Sequence, residues 1–191
     1  MLKSLFKKNL TISFLISLSF FAIINNFYRF FQNNAVYEFD AWLSNYQGGF
    51  VRRGFPGEIF YQLNNIANIH PGWMVFIFVS LLYLIFYFFF LKILNNIKIN
   101  KLLIFAIFSP IGFFYPFLNS KASGHKEIIF LSLLALFCYI LPKLEKNKAN
   151  YFMIFIIFIA GLTHEGLLFY FLYLIIPFIF FYQFKNLKEI I

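Results

Sequence analysis

The stretch GWMVFIFVSLLYLIFYFFFLKIL, residues 72–94, holds one charge, Lys92, in 23 positions. A helix crosses the hydrocarbon core of a bilayer with about 20 predominantly apolar residues. Residues 72–94 meet that requirement and predict a transmembrane helix. Outward from there, the same criterion predicts spans at about residues 10–27, 102–118, 127–141, 151–161 and 166–184, six in all. Composition points the same way. Of 191 residues, 62% are hydrophobic, 25% aromatic and 12% charged. A water-soluble domain carries roughly a quarter charged residues. The 33 Phe exceed what one small globule buries, and lipid is the solvent that accepts them. The expected fold class is an all-α integral membrane protein, with one transmembrane domain over residues 1–191.

The formal charge of +9 does not imply nucleic acid. The lysines sit in short clusters between apolar runs, which is how a chain sets its orientation in a bilayer. Six spans place eleven lysines on the N-terminal side: Lys3, Lys7, Lys8, Lys92, Lys98, Lys101, Lys143, Lys146, Lys148, Lys185 and Lys188. Only Glu145 and Glu189 oppose them. The other side receives Arg29, Arg52, Arg53, Lys121 and Lys126 against Glu38, Asp40, Glu58, Glu127 and Glu165. Both termini are therefore expected in the cytoplasm. The N-terminal MLKSLFKKNL resembles a signal-peptide n-region, but no small-residue cleavage pattern follows, so the first helix is expected to remain uncleaved. The single Cys138 allows no internal disulfide. Heavy use of Phe, Ile, Asn and Lys fits an AT-rich bacterial genome, and the expected location is a bacterial cytoplasmic (inner) membrane.

The last apolar stretch, Tyr151–Phe184, is too long for one ordinary span. Gly161-Leu162-Thr163-His164-Glu165-Gly166 interrupts it, and glycines flanking polar residues suggest a chain reversal. A turn there leaves a first arm of only ~11 residues, about 16 Å long. That is roughly half a bilayer. One long, kinked helix is the other reading, and it would weaken the charge bias by moving Lys185 and Lys188 outside.

Residues 28–71 are too polar to cross. Val36, Phe39, Leu43 and Tyr46 share one helical face by spacing, as do Phe55, Ile59, Leu63 and Ile66. Pro56 suits the first turn of the second helix, and Glu58 suits its positive end. Two amphipathic helices on the outer leaflet are expected. They are joined by Gly48-Gly49-Phe50-Val51-Arg52-Arg53-Gly54.

All three arginines and all three histidines map to that outer side. Arginine's planar fork matches phosphate and carboxylate better than an ammonium does. Arg52 and Arg53, between glycines that permit a backbone turn, are candidates to bind a phosphate or pyrophosphate. Snorkelling to lipid phosphates is the plainer account, above all for Arg29. Glu38 and Asp40 lie two apart, about 200° around a helix, and cannot share an ion there. Asp40 alone is a candidate base, or a solvated polar residue. Ser123 or Gly124 can cap the following helix and Glu127 can complement its dipole, while His125 and Lys126 are candidates for substrate binding. Thr163 can likewise cap a helix that has Glu165 in its first turn. A half-length arm would instead sink His164 and Glu165 into the bundle, where ionisable groups cost roughly 2.5–3.5 kcal/mol and mark function. No Walker loop, dinucleotide fingerprint, zinc-ligand spacing or GxSxG elbow occurs.

The run Asn45-Tyr46-Gln47-Gly48-Gly49-Phe50-Val51-Arg52-Arg53-Gly54-Phe55-Pro56-Gly57-Glu58-Ile59 resembles a signature of uncharacterised bacterial multi-pass membrane proteins. Those resemble enzymes of cell-surface polysaccharide assembly. Gly124-His125-Lys126-Glu127 and His164-Glu165 are similar to polar pairs in the same group. The layout is also similar to GT-C-type glycosyltransferases and O-antigen-polymerase-like proteins. That resemblance implies transfer or polymerisation of sugars from a polyprenyl-phosphate-linked donor on the extracytoplasmic face. Asp40, Glu165 and His164 would then be catalytic, with Arg52, Arg53, His125 and Lys126 binding substrate. No cofactor is demanded, although a divalent metal is compatible. The implied partners are the lipid bilayer, a lipid-linked saccharide and, in one reading, a larger membrane protein, with no nucleic acid. A small transporter and a non-catalytic subunit are the alternatives. Six spans, against the eight or more usual in both enzyme classes, fit a piece of a longer protein.

Overall fold

In a computed structural model, residues 2–31, 36–51, 53–97, 104–105 and 124–183 are described. Arg52, Ser120–Ser123 and the expected span 102–118, except for Ile104 and Phe105, lie outside these residues. Among the described residues there is no strand. The helices are α1 (Leu2–Phe31), α2 (Val36–Leu43), α3 (Phe55–Ala67), α4 (Pro71–Asn96), α5 (Glu127–Ile140), α6 (Lys146–Thr163) and α7 (Leu172–Gln183). A 3-10 turn, Leu141–Lys143, joins α5 to α6, and a 3-10 segment, Glu165–Phe171, precedes α7.

Local chemistry sets the ends of these helices. Pro71 occupies the first turn of α4, where its missing N–H costs nothing, and His70 Nδ1 accepts the Gly72 N–H at 3.1 Å. Asn68 ends α3 in the left-handed region at φ 51°, which its short side chain tolerates. A Cβ at Gly57 would collide with the Ser44 carbonyl, so only glycine lets α3 lie against the end of α2.

Helix α4 packs along both α1 and α5. Phe31 lies tilted against Trp73, with ring centroids 4.4 Å apart, and Phe27 meets Phe76 at 5.5 Å. The end of α1 therefore lies beside the start of α4. Phe89 of α4 meets Tyr139 near the end of α5 at 5.3 Å, so α4 and α5 run the same way. Helix α6 runs back along α5, with Phe137 and Phe152 6.1 Å apart. The chain then reverses once more at His164, whose backbone is extended (φ −166°, ψ 121°). Tyr182, near the end of α7, donates its hydroxyl to the Leu144 carbonyl just before α6, at 2.6 Å. Two apolar cores result. One joins α1 to α4 around Leu15, Val75 and Val79. The other joins α5, α6 and α7 around Phe137, Ile156 and Leu174.

Among the described residues, three helical stretches are long and apolar enough to cross a membrane: Asn9–Phe31, Pro71–Asn96 and Glu165–Tyr182. Their outward side chains, such as Phe20, Ile77, Leu81, Ile176 and Phe180, are exposed apolar groups suited to lipid. Six spans are not reached among the described residues, which leave out nearly all of the expected span 102–118. Helix α5 has 14 residues, about 21 Å of rise. Helix α6 has 18 residues rather than a half-length arm, because it starts at the polar Lys146 and continues through Thr163. Its first turns hold Lys146 and Lys148, which lower its hydropathy below that of a span. Beyond the reversal, α geometry resumes only at Leu172.

The apolar stripe expected for α3 lies on its outer side, away from the protein. On α3 the buried residues are Pro56, Gly57 and Phe60, while Ile59, Leu63 and Ile66 face outward, Ile66 with 83% exposure. The close approach at Gly57 turns the helix so that its apolar stripe points away from the protein. Among the described side chains of α2, Trp42 is fully buried.

Candidate functional site

Trp42, the loop after α2, the turn before α5 and the reversal after α6 meet at one end of the bundle. The loop is fixed from below by Glu58, which accepts the Tyr46 N–H at 3.1 Å and the Gln47 and Gln62 amides at 3.2 and 2.7 Å. Those hydrogen bonds, Gln62 first and the Tyr46 N–H next, hold the Glu58 carboxyl below its usual range. Gly49, at φ 115°, makes the tight turn that an L side chain would strain, and its N–H bonds the Tyr46 carbonyl at 3.0 Å.

From this loop Arg53 reaches across to Glu165. Nη2 donates to Oε1 at 2.9 Å and Nε to Oε2 at 3.3 Å, the two-pronged geometry that a guanidinium makes and an ammonium cannot. Both side chains stay about two-fifths exposed, at 42% and 41%. The pair joins residues 112 apart in sequence. Glu165 is thus not sunk in the bundle. The full-length α6 carries it to the rim, which removes the burial cost that the half-length arm would have imposed.

Lys126 is the buried cation of the site, 4% exposed. Its ammonium donates to the Arg53 carbonyl at 2.8 Å and toward the Thr163 carbonyl at 3.5 Å. The Trp42 ring lies alongside, with its centroid 5.8 Å from Nζ, within cation–π range. Trp42, with no exposed surface, donates its indole N–H to the Gly124 carbonyl at 2.7 Å and packs edge-on against Phe78. Burial first, and the Arg53 guanidinium next, push the Lys126 ammonium down to about 8, with Glu165 opposing.

His164 Nδ1 accepts the Gly166 N–H at 2.9 Å, starting the 3-10 segment as His70 starts α4. Neutral His164 therefore carries its proton on Nε2, which is a donor. His125 lies 3.8 Å from Glu127. Together Ala41, Trp42, Arg53, Gly124, His125, Lys126, Glu127 and His164 line a cavity of about 150 Å³.

Of the residues singled out from sequence, Arg53, His125, Lys126 and His164 line this cavity, and Glu165 is bound to one of them. Asp40 is exposed on α2 and is not among the lining residues, although Ala41 and Trp42 are. Arg52 is not described. Sequence reasoning gave Glu127 only a helix-start role and overlooked Trp42, for which the one signal was that it is one of two tryptophans. Among the described residues no three His, Cys, Asp or Glu side chains are grouped to hold a metal ion. In comparisons with known proteins, no family model, curated protein or solved structure matches this chain.

Proposed function

We propose that this chain is a multi-pass membrane protein of cell-surface polysaccharide assembly, which transfers or polymerises sugars from a polyprenyl-phosphate-linked donor. The reading places the cavity on the extracytoplasmic side of a bacterial inner membrane. One observation carries it. Arg53, Lys126, His125 and His164, drawn from three distant stretches of sequence, converge on one cavity at one end of the bundle. Beside them the outward apolar stripe of α3, Ile59, Leu63 and Ile66, would rest in the outer leaflet and admit a lipid tail.

In this mechanism Arg53 and Lys126 neutralise the charge that grows on the leaving phosphate. Glu165 holds the Arg53 fork in place. Glu127, with His125 beside it, lines the cavity and takes the proton from the acceptor hydroxyl. His164, protonated on Nε2, donates a hydrogen bond to the departing group.

The test is to replace Arg53 by Lys and, separately, Glu165 by Gln in the source organism. Loss of polymeric surface glycan in both, at normal protein levels, is the expected result. Unchanged glycan in both removes the enzyme. A second reading, proton-coupled transport, is favoured by one observation, the break after α6 beside the buried Lys126. It predicts instead that Glu165→Gln abolishes pH-dependent solute uptake while Arg53→Lys is tolerated.

A further inference from the structure

Lys126 is buried at 4% exposure, yet the acceptors that its ammonium meets are neutral carbonyls of Arg53 and Thr163. A buried ammonium is costly unless it is paired with an anion. Among the described residues, the charged and titratable groups around it do not supply one directly. Arg53, from the loop before α3, is a like charge. Glu165, beyond the end of α6, is already bound to Arg53 at 2.9 Å. His164 makes its hydrogen bond to Gly166. On its own turn His125 and Glu127 face each other at 3.8 Å, and α2 presents the uncharged ring of Trp42. The cavity is lined by Lys126 itself with Trp42, Arg53, His125, Glu127 and His164.

We propose that this cavity captures a phosphate oxyanion by giving Lys126 the anionic partner it lacks, so that binding protonates Lys126 Nζ wherever it is still neutral. The proposal rests on the phosphate-binding reading above and adds its coupling to pH. The balance is simple. A neutral amine and a hydrogen ion from solution become an ammonium as the oxyanion arrives, and the proton returns to solution when it leaves. Near pH 8 about half of the Lys126 side chains are neutral, so the coupling operates close to physiological pH. An oxyanion within ~4–6 Å favours the charged form by about 1–3 pH units. Anion capture therefore strengthens as pH falls through 8.

The experiment uses the full chain in nanodiscs of digalactosyldiacylglycerol, a bilayer lipid that carries no phosphate. Lys126 is labelled competitively with acetic anhydride across pH and read by mass spectrometry, with the exposed Lys148 as internal reference. One arm adds inorganic phosphate, and another places phosphatidic acid in the bilayer. Expected is a Lys126 midpoint near 8 that rises by about one unit or more in at least one arm while Lys148 stays. A rise with phosphate identifies the free ion as sufficient, and a rise with phosphatidic acid alone identifies a lipid headgroup. Identical Lys126 midpoints in all arms, or a shift shared equally by Lys148, overturns the proposal. If the midpoint stays while Arg53→Lys and Glu165→Gln still lose glycan, the coupling fails and the transfer reading survives. A shifted midpoint with normal glycan does the reverse.

Discussion

Lys126 and Lys148 carry the same ammonium at opposite ends of the bundle, and the protein holds them in opposite ways. Lys148 sits in the first turn of α6, 66% exposed, and pairs with Glu145 three residues earlier at 3.2 Å. Its partner is fixed by helix geometry alone. Lys126 is almost fully enclosed, and its acceptors lie 73 and 37 residues away. One cation is solvated and belongs to its own turn. The other ties together the loop before α3, the start of α5 and the end of α6, with Trp42 beneath it. The difference teaches that one lysine needs only its own helix turn, whereas the other is held by the packing of distant elements.

That contrast can be broken most severely at Trp42. Trp42→Ala removes a fully buried ring, the partner of the Gly124 carbonyl and the face beside Lys126. A loss of about 3–5 kcal/mol in unfolding free energy is expected, measured by denaturant titration in detergent. A loss below about 1 kcal/mol would show that the site does not depend on its aromatic floor.

A smaller, pH-dependent effect belongs to Lys126 itself. Its folded value near 8 lies below the unfolded 10.5, so the unfolded chain binds more protons between those values. Stability from this group is fully present above 10.5 and is lost as pH falls through 8. The wild type should therefore gain up to about 3 kcal/mol as pH rises across that window. Lys126→Met should flatten the rise, as read from thermal unfolding at pH 7.5 and 10. An identical slope in both proteins would place Lys126 in water. The smallest effect is expected from Lys148→Met, within about 0.5 kcal/mol at any pH, because an exposed ion pair on one helix turn contributes little. A larger loss would mean that the lysine-rich end also has a built site.

Much of the fold is legible in the sequence because its signals are local. The run at 72–94 becomes α4, Pro56 and Glu58 start α3, and the interruption at Gly161–Gly166 becomes the reversal at His164. Helix lengths were less legible. Helix α6 extends back to Lys146, since a backbone ladder tolerates lysine in its first turn, whereas an apolar count stops there. The apolar stripe of α3 was legible from its spacing and expected to face lipid, whereas the close approach of Gly57 to Ser44 that holds it outward was not. Within the site, Arg53, His125, Lys126, His164 and Glu165 were noticed for their chemistry. Asp40 was noticed for the same reason, but its position on α2 leaves it exposed and outside the cavity lining.

By itself the sequence determined the solvent, the helical class and the segregation of arginine and histidine from most of the lysine. Composition and spacing act over one or two turns and need no partner. Only the tertiary structure decided that Arg53 grips Glu165, that Lys126 is enclosed by two distant carbonyls, and that Trp42 and Glu127 belong with them. Contacts between residues tens of positions apart depend on how helices cross and where glycine permits close approach, and neither quantity is written in any local pattern.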